Sequence, residues 1–420
     1  MDDTSQIEHA KLGELAEIEM GQSPPGDAVN ADGLGLPLLN GPTEFGPHHP
    51  DPVQFTTDPR KRAQPGDLLF CVRGSTTGRM NWADQEYAIG RGIAALRMRE
   101  GAEAQPFLRG LVELHLPRLL QSATGSTFPN VSRRQLEGLE VRAPAQAERH
   151  RIAAVVAVLD GKIELNRQMN GTLEALAQAL FRRRFVTFEG HDRLADSETE
   201  FGEIPEGWEI GPFSKLATLR TKTVQPKVAP ETEWEHFSIP AYDADERPAM
   251  ERGDTIKSGK YRVPEDAVLA SKLNPRFPRV WLPDVQHPDR AICSTEFMPF
   301  VPKRPEWRAF LYSMVWSEPF QRAIQSRATG TTPSRQRVRP TIIAKMPVVV
   351  PPPEAIDAFS REAAPLQERR LANLRQSRTL AALRDALLPE LVSGHLRVPE
   401  GILPSSPRYS DTACRGSLSE

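Results

Sequence analysis

Side chains able to contact nucleic acid gather in two loops, each of which follows an apolar segment that predicts a buried strand. Arginine and lysine bond to guanine, asparagine and glutamine to adenine, and hydroxyl groups adapt to several bases. The loop in residues 72–82 offers Arg73, Ser75, Thr76, Arg79 and Asn81. The loop after Ala270 offers Lys272, Asn274, Arg276 and Arg279. The matching positions predict DNA contact, while a solvated loop remains the competing interpretation for each residue.

Two threonine–glycine segments form a second pair of candidate contacts. The first predicts contacts from Thr124, Ser126, Thr127 and Asn130, and the second from Thr329, Thr331, Thr332 and Arg335. The neighbouring arginines would suit phosphates, and they are Arg133, Arg134, Arg337 and Arg339. The alternative, that the threonine–glycine pairs only shape turns, stays open.

Motifs of catalysis are missing from the sequence. It contains no phosphate-binding Gly-x-x-x-x-Gly-Lys-Ser/Thr loop. The tetrapeptide Asn274-Pro275-Arg276-Phe277 only approaches the Asn/Asp-Pro-Pro-Tyr/Phe signature of amino methyltransferases. His48-His49 lacks further ligands at a suitable spacing, and Cys71, Cys293 and Cys414 lie far apart. We therefore predict neither a catalytic site nor a metal site in this chain.

The totals describe an ordinary protein of two to four domains. The chain has 420 residues, 39% hydrophobic content and a net charge of −2. That charge counts mildly against a nucleic-acid partner unless charge is segregated, and four arginines do crowd the segment 327–339. No apolar run approaches the roughly 20 residues of a membrane helix, and no signal peptide is visible, so we expect a cytoplasmic protein without membrane contact.

A seven-residue apolar rhythm occurs twice and predicts two long helices. A constant offset of 207 residues separates the two sets. The first set is Ile152, Leu159, Asn166, Leu173 and Leu180, and the second is Phe359, Leu366, Asn373, Leu380 and Leu387. One polar residue at the centre of an apolar seam fixes the register of paired helices. We expect the helices to pair antiparallel so that the side chains of Asn166 and Asn373 meet near a pseudo-two-fold axis, with ordinary solvated residues as the alternative. We also expect Pro389 to end the second helix near Leu388.

The remaining motifs repeat in the same order. Each half begins with a short amphipathic stretch that predicts a helix, namely Leu12, Leu15 and Ile18, then Phe213, Leu216 and Leu219. A strand, a threonine–glycine loop, a second strand and a long helix follow, whereas the segment 40–57 shows no counterpart in 237–256. The predicted class is α+β, with two pseudo-symmetric globular domains joined by two long helices in an antiparallel coiled coil. The predicted boundaries are 1–145, 146–200, 201–352, 353–397 and a disordered tail at 398–420.

These motifs, taken in order from about Leu12 to Val398, resemble the specificity subunit of type I restriction–modification systems. The resemblance rests on the two-fold repeat and on five sequence features. They are the threonine–glycine loop before LEVRAP (139–144), the run 152–166, TLEALAQALFRRRFV (172–186), IPEGWE (204–209) and LLPELVSGHLRV (387–398).

The resemblance implies a subunit without chemistry of its own. Each half would be a target recognition domain for one part of a bipartite site in double-stranded DNA. The helices would set the gap and dock two methyltransferase subunits, which restriction/translocase subunits join. S-adenosylmethionine, ATP and Mg would be used by those partners, and none by this chain. The alternative is a coiled-coil scaffold whose two heads bind proteins without DNA specificity.

Overall fold

The chain divides into two compact units, and each of the two long helices contributes one half to each unit. A computed structural model describes residues 8–46, 48–123, 129–191, 193–197, 199, 201–330 and 336–399. Unit 1 comprises residues 1–166 and 376–420, and unit 2 comprises residues 167–375. The two predicted spacer segments, 146–200 and 353–397, are therefore each shared between the units. The predicted tail lies outside the described residues from 400 onward, but Val398 is buried in the core of unit 1.

Two of the helices have 40 residues each, as the seven-residue rhythm predicts. The helices are α1 Leu12–Leu15, α2 Gln105–Gln121, α3 Arg133–Glu137, α4 Gln146–Phe185, α5 Ile239–Asp245, α6 Arg308–Trp316, α7 Glu318–Ser326, α8 Pro340–Lys345 and α9 Pro353–Val392. The predicted stop near Leu388 is wrong, because α9 continues past Pro389. Leu388, Leu391 and Val392 are buried in unit 1, and their burial compensates for the hydrogen bond that proline cannot donate.

The described part of unit 1 forms three sheets. Its strands are β1 Glu8–Lys11, β2 Ala16–Met20, β3 Val29–Asn30, β4 Leu36–Leu39, β5 Gln54–Thr56, β6 Arg62–Ala63, β7 Leu68–Cys71, β8 Met80–Trp82, β9 Tyr87–Ile89, β10 Ile93–Met98 and β11 Glu140–Ala143. The sheet orders are β2-β10-β7-β8, β3-β5-β4-β9-β6 and β1-β11. β7 is buried along its whole length, as its apolar sequence predicts.

Unit 2 repeats this plan. Its strands are β12 Leu194–Asp196, β13 Glu203–Pro205, β14 Glu209–Pro212, β15 Ala217–Leu219, β16 Thr223–Val224, β17 Glu233–Phe237, β18 Ala249–Arg252, β19 Lys260–Arg262, β20 Val268–Ser271, β21 Val280–Trp281, β22 Ala291–Cys293, β23 Phe297–Pro302 and β24 Pro347–Val350. The sheet orders are β15-β23-β20-β21, β16-β19-β22-β17-β18, β14-β24 and β12-β13. The predicted internal repeat is confirmed by the first and third of these sheets.

The repeat also extends into the segments that show no similarity in sequence. β4 runs parallel to β9 in unit 1, and β17 runs parallel to β22 in unit 2. β5 and β18 then pair antiparallel with β4 and β17. The expectation that the segment 40–57 has no counterpart is therefore wrong for the strands. The connections do differ, since unit 1 has a 3-10 turn at Pro42–Glu44 where unit 2 has the helix α5.

The short amphipathic stretches are helical for only one turn. α1 ends at Leu15, and the matching 3-10 helix spans Phe213–Lys215. Ile18 and Leu219 instead lie in β2 and β15, which pair with β10 and β23. The prediction that the helix extends to these residues is wrong. In a strand alternate side chains face the same side, and this places Ala16 and Ile18 in the core without a helix.

The long helices pair antiparallel inside each unit. In unit 1, the Asn166 amide donates to Oε1 of Gln376 at 3.0 Å and to Oγ of Ser377 at 3.2 Å. In unit 2, the Asn373 amide donates to Oδ1 of Asn170 at 2.9 Å. Ile152, Asn166, Phe359 and Asn373 are at most 1% exposed. The other predicted seam residues are half-buried, namely Leu159, Leu173, Leu180, Leu366, Leu380 and Leu387.

Candidate nucleic-acid interface

The first candidate loop of unit 1 is a tight turn that follows β7. Thr77 donates its backbone N–H to the carbonyl of Gly74 at 3.2 Å. Gly74 has a φ of +94°, a conformation that glycine adopts without strain. Cys71 donates to the carbonyl of Arg79 at 2.8 Å, which returns the chain into β8. The turn leaves Arg73, Ser75 and Arg79 exposed and Thr76 half-buried.

The segment that follows the first threonine–glycine motif is bonded to this turn. Val131 donates to the carbonyl of Val72 at 2.9 Å, and Gly74 donates to the carbonyl of Pro129 at 3.2 Å. Arg73 and Asn130 form an isolated antiparallel bridge between the two segments. A shallow surface depression is lined by Arg73, Gly74, Pro129 and Asn130. The structure thus brings the two predicted contact segments of unit 1 together.

Unit 2 builds the same arrangement with different residues. Val338 donates to the carbonyl of Lys272 at 3.0 Å, and Asn274 donates to the carbonyl of Gln336 at 2.8 Å. Leu273 forms the bridge to Arg337 that Arg73 forms to Asn130. Lys272 is half-buried beside this bridge. The repeat therefore includes the contact loops as well as the strands that carry them.

Arg337 is fixed at the surface of unit 2 by an acidic neighbour. Its guanidinium lies 3.1 Å from a carboxylate oxygen of Glu296, and this hydrogen bond raises the pKa of Arg337. Thr329 and Arg337 exchange backbone hydrogen bonds of 2.9 and 2.8 Å. Those bonds close the base of a loop whose predicted contacts Thr331, Thr332 and Arg335 lie outside the described residues, as do Thr124, Ser126 and Thr127 of unit 1.

Arg279 is already engaged with a carboxylate. Its guanidinium bonds to both carboxylate oxygens of Asp243 at 2.5 and 2.8 Å, which raises its pKa. Arg79, at the matching position in unit 1, is exposed and reaches the carbonyl of Pro42 at 3.4 Å. Arg79 is therefore freer than Arg279 to contact a phosphate.

Asn81 and Asn274 shape the loops. Asn81 is 3% exposed, donates its amide to the carbonyl of Gly46 at 2.9 Å and accepts from the N–H of Trp82. The predicted base contact of Asn81 does not fit this geometry, because its polar atoms are used inside the unit. Asn274 has a φ of +47°, and its Oδ1 is buried, so it takes the turn position that Gly74 holds in unit 1.

Exposed arginines flank both loops where short helices begin. Ser132 caps α3, and Arg133 pairs with Glu137 at 2.7 Å while Arg134 is exposed. Arg339 is exposed at the N-terminus of α8. Arg134 and Arg339 are thus exposed while Arg133 is engaged by Glu137, and phosphate contact by these arginines stays a prediction.

Phe277 lies in the second loop among the predicted contacts, which are all polar and do not include it. It is 54% exposed, and the exposed Arg276 lies over its ring at 5.0 Å. Aligning the strands β7 and β20 would have found it, since Phe277 then falls opposite Thr77 in the same turn. Thr77 is turned inward instead, and its hydroxyl donates to the carbonyls of Gly74 and Pro129, both at 2.8 Å.

The histidine pair of unit 1 takes part in packing. The rings of His48 and His49 meet edge to face at 4.5 Å, and His48 lies 3.8 Å from Glu164 on α4. Nδ1 of His49 lies 3.0 Å from the carbonyl of Trp82. Within the ranges that the structure describes, no group of three or more histidine, cysteine or acidic residues could hold a metal ion. None of the helices there has the length and apolar character that crossing a membrane requires.

The chain is similar to known specificity domains and subunits of type I restriction enzymes. Residues 5–175 match the family described as type I restriction modification DNA specificity domain. The putative type I restriction enzyme MjaX specificity subunit of Methanocaldococcus jannaschii is 31% identical over 158 residues, which are 38% of this chain and 37% of that protein. The HindI specificity subunit of Haemophilus influenzae is 21% identical over 408 residues, covering 80% of this chain and 88% of that protein.

A solved structure shares the fold of the chain. The crystal structure of the type I restriction–modification system S subunit from M. genitalium matches with a TM-score of 0.56 at 15% identity. The match covers 93% of this chain and 97% of the other. The similarity supports the α+β fold with two globular units and long helices.

Proposed function

We propose that this chain, whose residues 5–175 match the family described as type I restriction modification DNA specificity domain, is the DNA-recognition subunit of a type I restriction–modification complex. Each unit reads one part of a bipartite DNA site. The long helices set the spacing between the two parts. The chain performs no chemistry itself, and this agrees with relatives that are specificity subunits.

One observation carries the proposal. In both units the loop after a buried strand is bonded to the segment after a threonine–glycine motif, through Val72 and Val131 in unit 1 and through Lys272 and Val338 in unit 2. The backbone hydrogen bonds are the same while the side chains differ. A common frame with different side chains suits two readers of two different sequences, because base edges are distinguished by side-chain donors and acceptors.

The chemistry belongs to partner subunits in this proposal. Two methyltransferase subunits supply S-adenosylmethionine and transfer a methyl group to adenine N6. Restriction/translocase subunits that join the complex use ATP and Mg. Exposed apolar residues on the long helices support docking there, and they include Val158 and Leu165, which are 54% and 48% exposed and lie seven residues apart on α4.

The test is methylation in a host that makes this chain together with a methyltransferase subunit. We expect N6-methyladenine at one bipartite motif by single-molecule sequencing, and no methylation when this chain is deleted. A variant with both Arg73→Ala and Arg79→Ala should alter methylation through the half-site that unit 1 reads. Arg118→Ala, an exposed arginine on α2 paired with Glu140, is the control and should leave the motif unchanged.

Binding measurements separate this proposal from a protein-binding scaffold. The purified complex should bind DNA with the methylated motif at least 10³-fold more tightly than random DNA at the same salt concentration. Equal binding to both DNAs, together with methylation that does not depend on this chain, would overturn the proposal in favour of the scaffold.

A further inference from the structure

We propose that Phe277 reads the 5-methyl group of a thymine in the half-site that unit 2 binds. The inference rests on the proposed function, since it names one base group recognised by the candidate interface. Apolar side chains discriminate thymine in the major groove by packing against that methyl group. The polar candidates of the same loop cannot make this contact.

The position of Phe277 is the first support. Its side chain is 54% exposed at the tip of the turn that follows β20, between Arg276 and a half-buried proline. A single exposed apolar residue is ordinary on a protein surface. This one lies inside a loop whose backbone is bonded to the segment of Arg337, at the place where unit 2 is expected to meet a base edge.

The guanidinium of Arg276 over the Phe277 ring limits how the ring can contact DNA. The guanidinium carbon of Arg276 lies 5.0 Å from the ring centroid and covers one face. Inserting a ring between two base pairs needs both faces, so intercalation would require this pair to separate. The side chain is nevertheless 54% exposed, so part of the ring surface is open to a ligand. That part suits van der Waals contact with one methyl group while Arg276 faces the DNA backbone.

The turn fixes the backbone that carries the ring. Phe277 donates its N–H to the carbonyl of Asn274 at 3.0 Å, and Asn274 is in turn bonded to Gln336 at 2.8 Å. A preorganised backbone leaves less conformational freedom to be lost on binding, which favours discrimination by one methyl group. A second backbone hydrogen bond, from the N–H of Val338 to the carbonyl of Lys272 at 3.0 Å, joins the same two segments.

Unit 1 has a threonine, Thr77, at the position that matches Phe277. Thr77 uses its hydroxyl inside the turn, with both accepting carbonyls at 2.8 Å. The two loops therefore differ at this position: unit 2 has an exposed aromatic ring, whereas the half-buried Thr77 of unit 1 uses its hydroxyl inside the turn. We therefore expect the ring of Phe277 to make a thymine methyl group matter in the half-site of unit 2.

The experiment replaces each thymine of both half-sites, one at a time, with deoxyuridine, which lacks only the methyl group. Affinity is measured for the full chain in complex with its methyltransferase subunit. We expect one position where the wild type binds about fourfold more weakly, the ratio that corresponds to burial of one methyl group at ~0.8 kcal/mol. Phe277→Ala should bind the thymine and deoxyuridine DNAs equally there, and Phe277→Leu should retain part of the difference.

Controls separate the possible failures. Val228→Ala removes another exposed apolar residue of unit 2, which is 78% exposed, and should keep the full deoxyuridine effect. Sequence-specific binding with no sensitive thymine, or a sensitive thymine that Phe277→Ala leaves sensitive, would overturn the inference alone. Increased fluorescence of 2-aminopurine beside the sensitive position would show unstacking and would overturn it in favour of a wedge. Absence of any sequence-specific binding by the wild type would overturn both this inference and the proposed function.

Discussion

Asn373 and Asn170 form a buried amide–amide pair between the two long helices of unit 2. The Asn373 Nδ2 lies 2.9 Å from the Asn170 Oδ1, and the two residues are 1% and 9% exposed. In unit 1, Asn166 occupies the matching place and donates to Gln376. A buried polar pair costs stability compared with leucine, yet it penalises every register in which the polar atoms meet apolar groups. Each unit thus contains a buried polar contact that favours one register of its paired helices.

Replacing one member of the pair should destabilise unit 2. Asn373→Leu leaves the Asn170 carbonyl without that donor in a buried position, and we expect a loss of ~1–3 kcal/mol in the free energy of unfolding. Urea unfolding followed by tryptophan fluorescence measures it. Asn170→Leu combined with Asn373→Leu should recover most of the loss, because no polar partner is then stranded. A double variant as unstable as the sum of the single variants would contradict this account.

A charged pair stabilises the helices of unit 1. The Arg384 guanidinium lies 2.7 Å from Oδ1 of Asp160, and the two side chains are 18% and 20% exposed. Burial alone would lower the pKa of Arg384, but Asp160 and Asp385 together raise it above its ordinary value. Asp160→Asn should therefore cost ~1–2 kcal/mol, since solvent still screens part of the interaction.

Asp385 provides the matched control for that pair. It also bonds to Arg384, at 2.8 Å, but its side chain is 63% exposed. Asp385→Asn should change the free energy of unfolding by less than ~0.5 kcal/mol. Equal effects of the two substitutions in the same urea experiment would show that burial does not decide the strength of these interactions.

The sequence was informative where the signal is local and periodic. The rhythm through Ile152 and Phe359 predicted both long helices because burial on one face repeats along a helix. It failed at Pro389, because tertiary burial of Leu391 and Val392 outweighs the local cost of proline. It also could not show that Val72 bonds to Val131, since pairing between distant segments leaves no mark in either one. Phe277 was overlooked because its exposure depends on the turn and not on its residue type.

Unit 2 should lose stability in weak acid through His236. Burial lowers the pKa of His236 below its ordinary value of 6.5, and the positive charge of Lys260 lowers it further. The carboxylate of Glu251, which lies 3.2 Å from His236, acts in the opposite direction without reversing the shift. The unfolded chain therefore binds a proton more readily than the folded one. This contribution is complete above about pH 6.5 and is lost as the pH falls from there toward the lower folded value.

The His236→Gln variant tests the titration. Urea midpoints of wild type and variant are compared between about pH 5 and pH 7.5, so that other titrating groups cancel. We expect the wild-type midpoint to fall more steeply on acidification than that of the variant. Parallel curves would exclude His236 as the source of the pH dependence.

Arg276 and Arg73 should differ from the bonded arginines in their effect on DNA binding. Both are exposed, whereas Arg279 is paired with Asp243. Loss of a phosphate contact reduces the slope of log affinity against log salt by about one and weakens binding to every sequence alike. Loss of a base contact costs ~1–3 kcal/mol and relaxes one position of the site. Titrations of Arg73→Ala and Arg276→Ala between about 50 and 200 mM salt distinguish these roles.

The long helices offer a test of the spacing between the two half-sites. A seven-residue insertion after Asn166 in α4, matched by seven residues after Arg375 in α9, preserves the phase of the seam and adds roughly 10 Å to each helix. If the helices set the distance, the methylated motif should keep both half-sequences while its gap lengthens by about three base pairs. An insertion in α4 alone should abolish methylation, because the pairs Asn166–Gln376 and Asn170–Asn373 could not both keep their register when only one helix is longer. An unchanged gap in the paired variant would show that the helices hold each unit together without measuring the DNA.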